Sequence, residues 1–320
     1  MAVQSPLTPT AAKISLPQRN VKTVAFGDLL IKTWYRSSYP EELVGKGTVD
    51  KLYVCKWCFK YTVELTSFRA HERSCGTKGG APPGRIIYSR DNYAIYEVDG
   101  EDEQLFSQNL SLFSKLFLDT KSIFFDVTTF TYYILLLSDG PGFTPETWPP
   151  RKNRSVIGFF SKEKMSWDNN NLACILVFPP WQRLGYGSIL MGISYHLAEQ
   201  EGRYGGPEKP LSEMGRKGYE KFWAQRVARQ ILSGTGKKGK LLTVKELGTL
   251  CWMLPEDVLV ALKLMGLDDM DERRKDGSVV VGKDKVKAWV QAGRVDLEPP
   301  IKEEEFYVWE SEEDDMEEDE

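Results

Sequence analysis

Apolar and polar residues follow one another along the chain in a pattern that predicts a mixed α/β fold. The segments GRIIYS and YAIYEVD at 84–99 are short, β-branched and aromatic, which is typical of strands. Between 101 and 118 the apolar residues recur at helical spacing, which predicts an amphipathic helix. SIFFDV, FTYYILLLS and SVIGFFSKE predict further strands, and the fully apolar LACILVF at 172–178 predicts a central one.

The remaining pattern predicts strands before this region and helices after it. VKTVAFGDLLIKTWYRSSYPEEL near the N-terminus predicts a short pair of strands, and DGPGFTPETWPPRKNR at 139–154 predicts an exposed loop. A helix is expected from Gly185 to Glu201, and another begins near Ser212, a good N-cap residue. TVKELGTLCWML and PEDVLVALKLMGL predict two short helices, and with the β-like GSVVVGKDKVKAWV they indicate a winged-helix-like unit.

Charge is distributed unevenly over the 320 residues. The last eleven, ESEEDDMEEDE, hold nine carboxylates and no base, so the net charge of −4 becomes +5 without them. Charge blocks of this kind are usually solvated and disordered. We expect a solubilising tail, or one that contacts a basic partner or shields the mildly basic body from nucleic acid.

The cysteines and the apolar runs bear on the cellular compartment. The first 20 residues contain no apolar core of a signal peptide, and no run of about 18 apolar residues occurs. We therefore expect a reducing compartment, in which five cysteines are more suited to a metal site or a reactive thiol than to disulfides.

Three of these cysteines and one histidine have the spacing of a zinc finger, Cys-x2-Cys-x12-His-x3-Cys. The expected ligands are Cys55, Cys58, His71 and Cys75. Four protein ligands leave no position for a substrate, so the zinc is expected to be structural. Phe59 and Phe68 are expected to pack behind it. Arg69 and Arg73 are the bases on its helix that could make a weak contact with DNA.

The stretch FPPWQRLGYGSIL lies between the apolar strand and the helix that follows. Gly185 and Gly187 let the backbone approach a ligand, and amides at a helix N-terminus with Arg183 nearby favour an anion such as a pyrophosphate. An ordinary strand-turn-helix with a glycine cap is the alternative. The order of strands, helix, strands, loop and helix fits the acetyl-coenzyme A N-acetyltransferase fold.

ACILVFPPWQRLGYGSIL resembles the acetyl-CoA motif of the MYST family of histone acetyltransferases. TWYRSSYPEE, the Cys-Cys-His-Cys finger, YEVDG, LSLFSKLFLDTKSIFFDV, GFFSKEK and GPEKPLSEMG also resemble family blocks and follow in family order over residues 21–232. LPEDVLVALKLMGL resembles the terminal winged-helix part more faintly. NNNLACILVFPPWQR and the absence of a reader domain before the finger are most similar to the fungal something-about-silencing subgroup.

The resemblance implies a GNAT-like core and roles for three residues. Glu208 aligns with the general base that takes a proton from the attacking lysine. Cys174 aligns with the active-site cysteine, which could carry the acetyl group or only line the pocket. Lys121 aligns with the lysine that becomes acetylated in active members.

The resemblance also implies how acetyl-CoA is held. Backbone groups of Ile175 and Val177 are expected to pair with the pantetheine, and Ser212 matches a position near the cofactor. The remaining expected cofactor-binding residues are Gln182, Arg183, Leu184, Gly185, Tyr186, Gly187 and Ser188.

We expect five parts in the chain. They are a disordered leader at 1–20, an N-terminal region at 21–84 with the finger at 55–75, a catalytic core at 85–212, a winged-helix-like part at 213–300 and an acidic disordered tail at 301–320.

The expected function is transfer of acetyl from acetyl-CoA to a histone-tail lysine, with histone four as the substrate that the subgroup implies. The expected partners are nucleosomes and the scaffold subunits of a complex similar to that of the silencing subgroup, in the nucleus. Two alternatives stay open: an inactive zinc-finger chromatin adaptor, and a lysine acetyltransferase for non-histone proteins.

Overall fold

The computed structural model of the protein describes residues 19–45, 47–78, 80–122, 125–138, 154–234, 242–267, 278–279 and 283–308. The expected leader up to residue 18, the loop that begins at residue 139 and the acidic end beyond residue 308 lie outside the described residues.

The N-terminal region forms a four-stranded sheet with strand order β2-β1-β3-β4. The predicted strand pair is present as an antiparallel hairpin of β1 and β2, and β3 pairs with β1 in parallel. The elements are β1 Val21–Phe26, β2 Leu29–Lys32, α1 Glu41–Val44, β3 Val49–Val54, β4 Tyr61–Thr62 and α2 Leu65–Ser74.

A second sheet of five antiparallel strands, ordered β5 to β9 as in the sequence, forms the centre of the molecule. Its elements are β5 Arg85–Arg90, β6 Tyr93–Asp99, α3 Gln104–Lys115, β7 Phe130–Ser138, β8 Arg154–Glu163 and β9 Cys174–Val177. The helix predicted between 101 and 118 is therefore present as α3.

The C-terminal part is mainly helical and packs on one face of this sheet. This part also contains an antiparallel two-stranded sheet of β10 and β11. The elements are α4 Tyr186–Gln200, α5 Glu213–Ser233, β10 Leu242–Thr243, α6 Val244–Cys251, α7 Pro255–Leu264, β11 Ser278–Val279 and α8 Lys283–Gly293.

Both faces of the five-stranded sheet are covered, which explains why its strands are apolar throughout. Along β6, Tyr93 and Ile95 face the core that contains α4 and α5. Ala94 and Tyr96 face the core that contains α3 and the N-terminal region. Successive side chains of a strand point to opposite faces, so a strand buried on both sides needs no polar alternation.

Two strand predictions differ from the structure. The segment 172–178 lies at the edge of the sheet and not at its centre, since β9 pairs with β8 on one side and its other edge is largely unpaired among the described residues. It is apolar because Leu176 enters one core while Ile175 packs against the other. In SIFFDV, the described residues Phe125 to Val127 form no strand, because Val127 donates back to the Phe125 carbonyl at 3.1 Å.

Only one of the two phenylalanines expected behind the zinc site lies there. Phe68 packs against Cys55 and Cys75. Phe59 instead points into the core that contains α3 and the N-terminal region. There its ring lies 5.4 Å from that of Phe113 and is fully buried. It thereby joins the finger to the body of the protein.

The start of the segment that the sequence assigns to the acidic tail is packed. His196 of α4 stacks on Phe306 with ring centroids 4.0 Å apart, and the Tyr307 amide donates to the Ile87 carbonyl at 3.0 Å. Residues 301–308 therefore belong to the folded body.

Replacing Phe59 with Ala is expected to lower the free energy of unfolding by about 3–5 kcal/mol, because a fully buried aromatic ring leaves a cavity. Urea unfolding of the full chain measures it. Leu30→Ala is the control, since that side chain is 61% exposed and its loss should change stability by less than about 0.5 kcal/mol. Equal effects of the two variants would contradict this packing.

Candidate active site

The candidate site lies where the free edge of β9 meets a loop that precedes α5. Before the strand begins, the backbone amide of Asn171 donates to the Gly206 carbonyl, and the backbone amide of Glu208 donates to the Leu172 carbonyl, each at 2.9 Å. From Cys174 to Val177 no strand in the described part of the chain pairs with this edge. The strand edge is therefore paired at its start and open beyond it.

A cavity of about 260 Å³ opens at this point. It brings together Lys121, Cys174 and Glu208, three residues to which the sequence analysis assigns catalysis or modification. The other lining residues are Thr120, Ser122, Phe130, Tyr132, Ser161, Glu163, Ala173, Lys209 and Pro210. Seven of these nine residues lie in sequence blocks that resemble the family, and Phe130 and Tyr132 lie outside them. The sequence assigned none of the nine a role, because they come from separate segments that only the fold brings together.

The carboxyl group of Glu208 is exposed at the cavity in an electronegative setting. Partial burial raises the pKa of Glu208, and the nearby carboxylates of Glu163 and Asp168 raise it further, while Lys121 acts in the opposite direction. A carboxylate with a raised pKa accepts a proton more readily than a fully solvated one.

Lys121 is buried, with only 4% of its surface exposed. Its Nζ lies 3.9 Å from the sulfur of Cys174. Burial lowers the pKa of Lys121, and the positive charge of Lys115 acts in the same direction. The ammonium form of this side chain is therefore disfavoured where it lies. Cys174 itself is partly buried at the first residue of β9.

The turn after β9 carries the expected anion-binding residues. Pro179–Trp181 form one turn of 3₁₀ helix, and α4 begins after Gly185. Arg183 and Gly185 have φ angles of 64° and 92°, in the left-handed region that favours glycine. A Cβ added at Gly185 would meet no atom within 4 Å, so space beside this backbone is open.

The start of α4 has no side-chain cap. The first amides of a helix have no partner within the helix and carry the positive end of its dipole, which favours an anion. Arg183 and Leu184 are exposed, while Tyr186, Gly187 and Ser188 are partly buried. The Ser188 amide already donates to the Gly185 carbonyl at 2.9 Å, so the amides that fit a pyrophosphate are those that precede it.

Other expected cofactor residues have defined partners within the chain. The side-chain amide of Gln182 donates to the Val177 carbonyl at 2.8 Å, which joins the turn to the open strand edge. Ser212 is the N-cap of α5, and its hydroxyl accepts from the Gly215 amide at 3.1 Å. Ile175 lies partly buried on β9 between Cys174 and Leu176.

The four expected zinc ligands converge in the N-terminal region. Cys55 and Cys58 lie on the knuckle between β3 and β4, while His71 lies on α2 and Cys75 follows it. Their ligand atoms all lie within 4.8 Å of one another. Three thiolate sulfurs and one imidazole nitrogen are a donor set that suits tetrahedral zinc. The last ligand, Cys75, precedes Thr120, the first residue that lines the cavity, by 45 residues, and none of the four ligands lines the cavity.

None of the helices in the described part of the chain combines the length and the apolar character needed to cross a membrane.

Comparison with known protein families gives two matches. The model of the MOZ/SAS family matches residues 81–306, and that of the MYST family zinc finger domain matches residues 18–75. The first match alone covers more than half of the chain and includes every residue that lines the cavity.

Similar curated proteins are histone acetyltransferases. The chain is 40% identical to histone acetyltransferase MOF of Drosophila melanogaster over 245 residues, which are 77% of the chain and 27% of that protein. It is 35% identical over 250 residues to the Tip60 homolog of Caenorhabditis elegans, 78% of the chain and 51% of that protein. It is 37% identical over 249 residues to esa-1 of Neurospora crassa, 77% of the chain and 46% of that protein.

The chain therefore spans between about a quarter and a half of the length of these relatives. A solved structure, an aminoglycoside acetyltransferase from an uncultured soil sample, overlaps 47% of the chain and 91% of its own. The TM-score is 0.26 and the identity 14%, which is too low to support a conclusion.

Removal of zinc with a strong chelator is expected to unfold the finger and lower the melting temperature, because binding of a structural zinc is folding free energy, about 10–16 kcal/mol in finger peptides. Elemental analysis measures the bound zinc, and calorimetry measures the melting temperature. Cys58→Ser should lose the metal, whereas Cys251→Ser, at a buried cysteine outside the finger, should keep it. Metal retained by both variants would contradict the ligand assignment.

Proposed function

The chain belongs to the MOZ/SAS family and carries its zinc finger, and on this premise we propose that it transfers acetyl groups from acetyl-CoA to lysine side chains of histone tails. The observation that carries the proposal is the cavity that both Glu208 and Cys174 line, beside the open edge of β9. The similarity to several histone acetyltransferases supports the choice of substrate class.

Glu208 is proposed as the general base. A lysine amine has an ordinary pKa of about 10.4, so it arrives as an ammonium ion and cannot attack until a proton is removed. Glu208 is exposed to the cavity, and its pKa is raised by burial and by Glu163 and Asp168. These same carboxylates would attract the cationic substrate.

Acetyl-CoA supplies an activated acetyl group as a thioester. The open backbone edge at Ile175 and Val177 is proposed to hydrogen-bond the pantetheine arm, and the amides from Arg183 to Gly187 to hold the pyrophosphate. In this arrangement the cofactor's thioester would end near Cys174. Gln182 and Ser212 are proposed to support the turn and the start of α5 on either side of it.

Cys174 and Lys121 are proposed to shape the reaction centre. Cys174 either lines the pocket or carries the acetyl group. Lys121 is proposed as a site of acetylation on the protein itself, because acetylation removes a charge that is unfavourable at a position only 4% exposed.

We further propose histone four as the preferred substrate and a nuclear, chromatin-bound location. The relatives' names refer to histone acetyltransferases and support histones in general. Scaffold subunits of a complex like that of the silencing subgroup, and a weak DNA contact through Arg69 and Arg73, remain proposals. Both arginines are exposed on α2.

Glu208→Gln is expected to lower kcat by about 10²- to 10⁴-fold, because an amide cannot accept the proton. The measurement is acetyl transfer to each recombinant histone. Cys174→Ala should retain measurable activity at saturating acetyl-CoA. Glu41→Gln, at an exposed residue in the N-terminal region, is the control and should match the wild type.

The same experiment separates the alternatives. Full activity of Glu208→Gln would overturn the role of this residue. A wild-type chain that shows no binding of acetyl-CoA by calorimetry would be an adaptor and not an enzyme. Transfer to lysate proteins without transfer to any histone or nucleosome would indicate a non-histone substrate.

Glu163→Gln is expected to move the acidic limb of the kcat/KM profile to lower pH. The carboxylate of Glu163 raises the pKa of Glu208, so its neutralisation lowers that pKa and keeps the base ionised in more acidic solution. The pH–rate profiles of the wild type, Glu163→Gln and the control Glu41→Gln measure it. An acidic limb that is unchanged or displaced to higher pH would contradict the electrostatic assignment.

A further inference from the structure

The segment that carries Glu208 rests on the C-terminal helical part of the chain. The Gly205 amide donates to the Trp252 carbonyl at 2.9 Å, and Gly205 forms a parallel bridge with Met253. A Cβ added at Gly206 would lie 2.6 Å from Cδ1 of Leu254, so the backbone is in close contact with the residue that precedes α7. Glu208 lies two residues after Gly206 in the chain.

An ion pair continues the contact on the other side of Glu208. Nζ of Lys209 lies 2.8 Å from Oδ1 of Asp257, in the first turn of α7, and 3.6 Å from Oε1 of the more exposed Glu256. The side chain of Asp257 is only 1% exposed, whereas that of Lys209 is 44% exposed. Lys209 therefore reaches from the cavity rim to a buried carboxylate.

Asp257 depends on this lysine. Burial raises the pKa of Asp257, while Lys209 lowers it. Its other oxygen, Oδ2, is buried without a hydrogen-bond partner in the described structure. A buried carboxylate that loses the cation with which it is paired is strongly unfavourable, so the pair resists separation.

We propose that the Lys209–Asp257 ion pair is a positioning device that holds the Glu208 carboxylate at the reaction centre. The proposal rests on the function proposed above for Glu208. The hydrogen bond from the Glu208 amide to Leu172 fixes the segment just before β9, and the ion pair fixes the next side chain to α7. Glu208 is held between the two.

Asp257 makes the proposal specific because it does not line the cavity. In this proposal it acts on the reaction through Lys209, which does line the cavity. A direct effect of the Lys209 charge on the substrate would leave Asp257 variants active. If the ion pair positions Glu208, loss of either residue should lower kcat by the same factor.

The test is a double-mutant cycle on the full chain with Lys209→Met, Asp257→Leu and the double variant. Each single variant is expected to lower kcat about tenfold with an unchanged KM for acetyl-CoA, because a small displacement of a catalytic group is costly. The double variant should lose about the same tenfold and not a hundredfold, since both changes break one interaction. Lys209→Arg should retain at least about a third of the wild-type kcat.

Lys22→Met is the matched control. Lys22 forms an ion pair of 2.6 Å with Asp50 in the N-terminal sheet, and both side chains are well exposed. It should leave kcat unchanged. Asp257→Asn keeps an acceptor for Lys209 and is used if Asp257→Leu does not fold, with an expected loss of about twofold to threefold. Single variants with wild-type kcat, or losses that multiply in the double variant, would overturn the proposal.

Hydrogen exchange at the Glu208 amide tests the anchor without activity. Exchange is expected to be at least about tenfold faster in Lys209→Met and Asp257→Leu than in wild type and Lys22→Met, because the amide's bond to Leu172 opens more often. Unchanged exchange would overturn the anchor. A wild-type chain that binds acetyl-CoA but transfers nothing would contradict the proposed function instead, and the exchange result would still decide the anchor.

Discussion

The short parallel pairing between residues 171–172 and 206–208 is the constraint on which the site depends. Two backbone hydrogen bonds of 2.9 Å bring the Glu208 segment to the edge of the five-stranded sheet. Beyond them β9 continues with no described strand on that side. The unpaired backbone N–H and C=O groups of an edge strand can form hydrogen bonds with a ligand. An open edge beside a fixed carboxylate is therefore suited to an extended polar ligand.

The two cores on either side of this sheet explain why the pairing can be so short. Leu176 and Phe178 anchor β9 in the core shared with α3 and the N-terminal region. Leu172 enters the opposite core with α4, α5 and the C-terminal helices. Because residues on both faces of the strand pack against a core, its edge can remain open without loss of its position.

Two ionisable side chains at or beside the cavity occupy buried positions. Lys121 and Asp257 are both nearly inaccessible, and burial disfavours the charged form of each. The Cys174 sulfur lies near the first and the Lys209 ammonium near the second. Buried ionisable groups of this kind are common where chemistry depends on a shifted proton affinity.

Features that depend on neighbouring residues were predictable from the sequence, whereas contacts between distant segments were not. The spacing of Cys55, Cys58, His71 and Cys75 and the strand-to-helix turn at Gly185 follow from local geometry, and the structure has both. The packing of Phe59 against Phe113, the edge position of β9 and the bond from Lys209 to Asp257 required the fold. Apolar character tells that a residue is buried but not against which neighbour, because the hydrophobic effect has no direction.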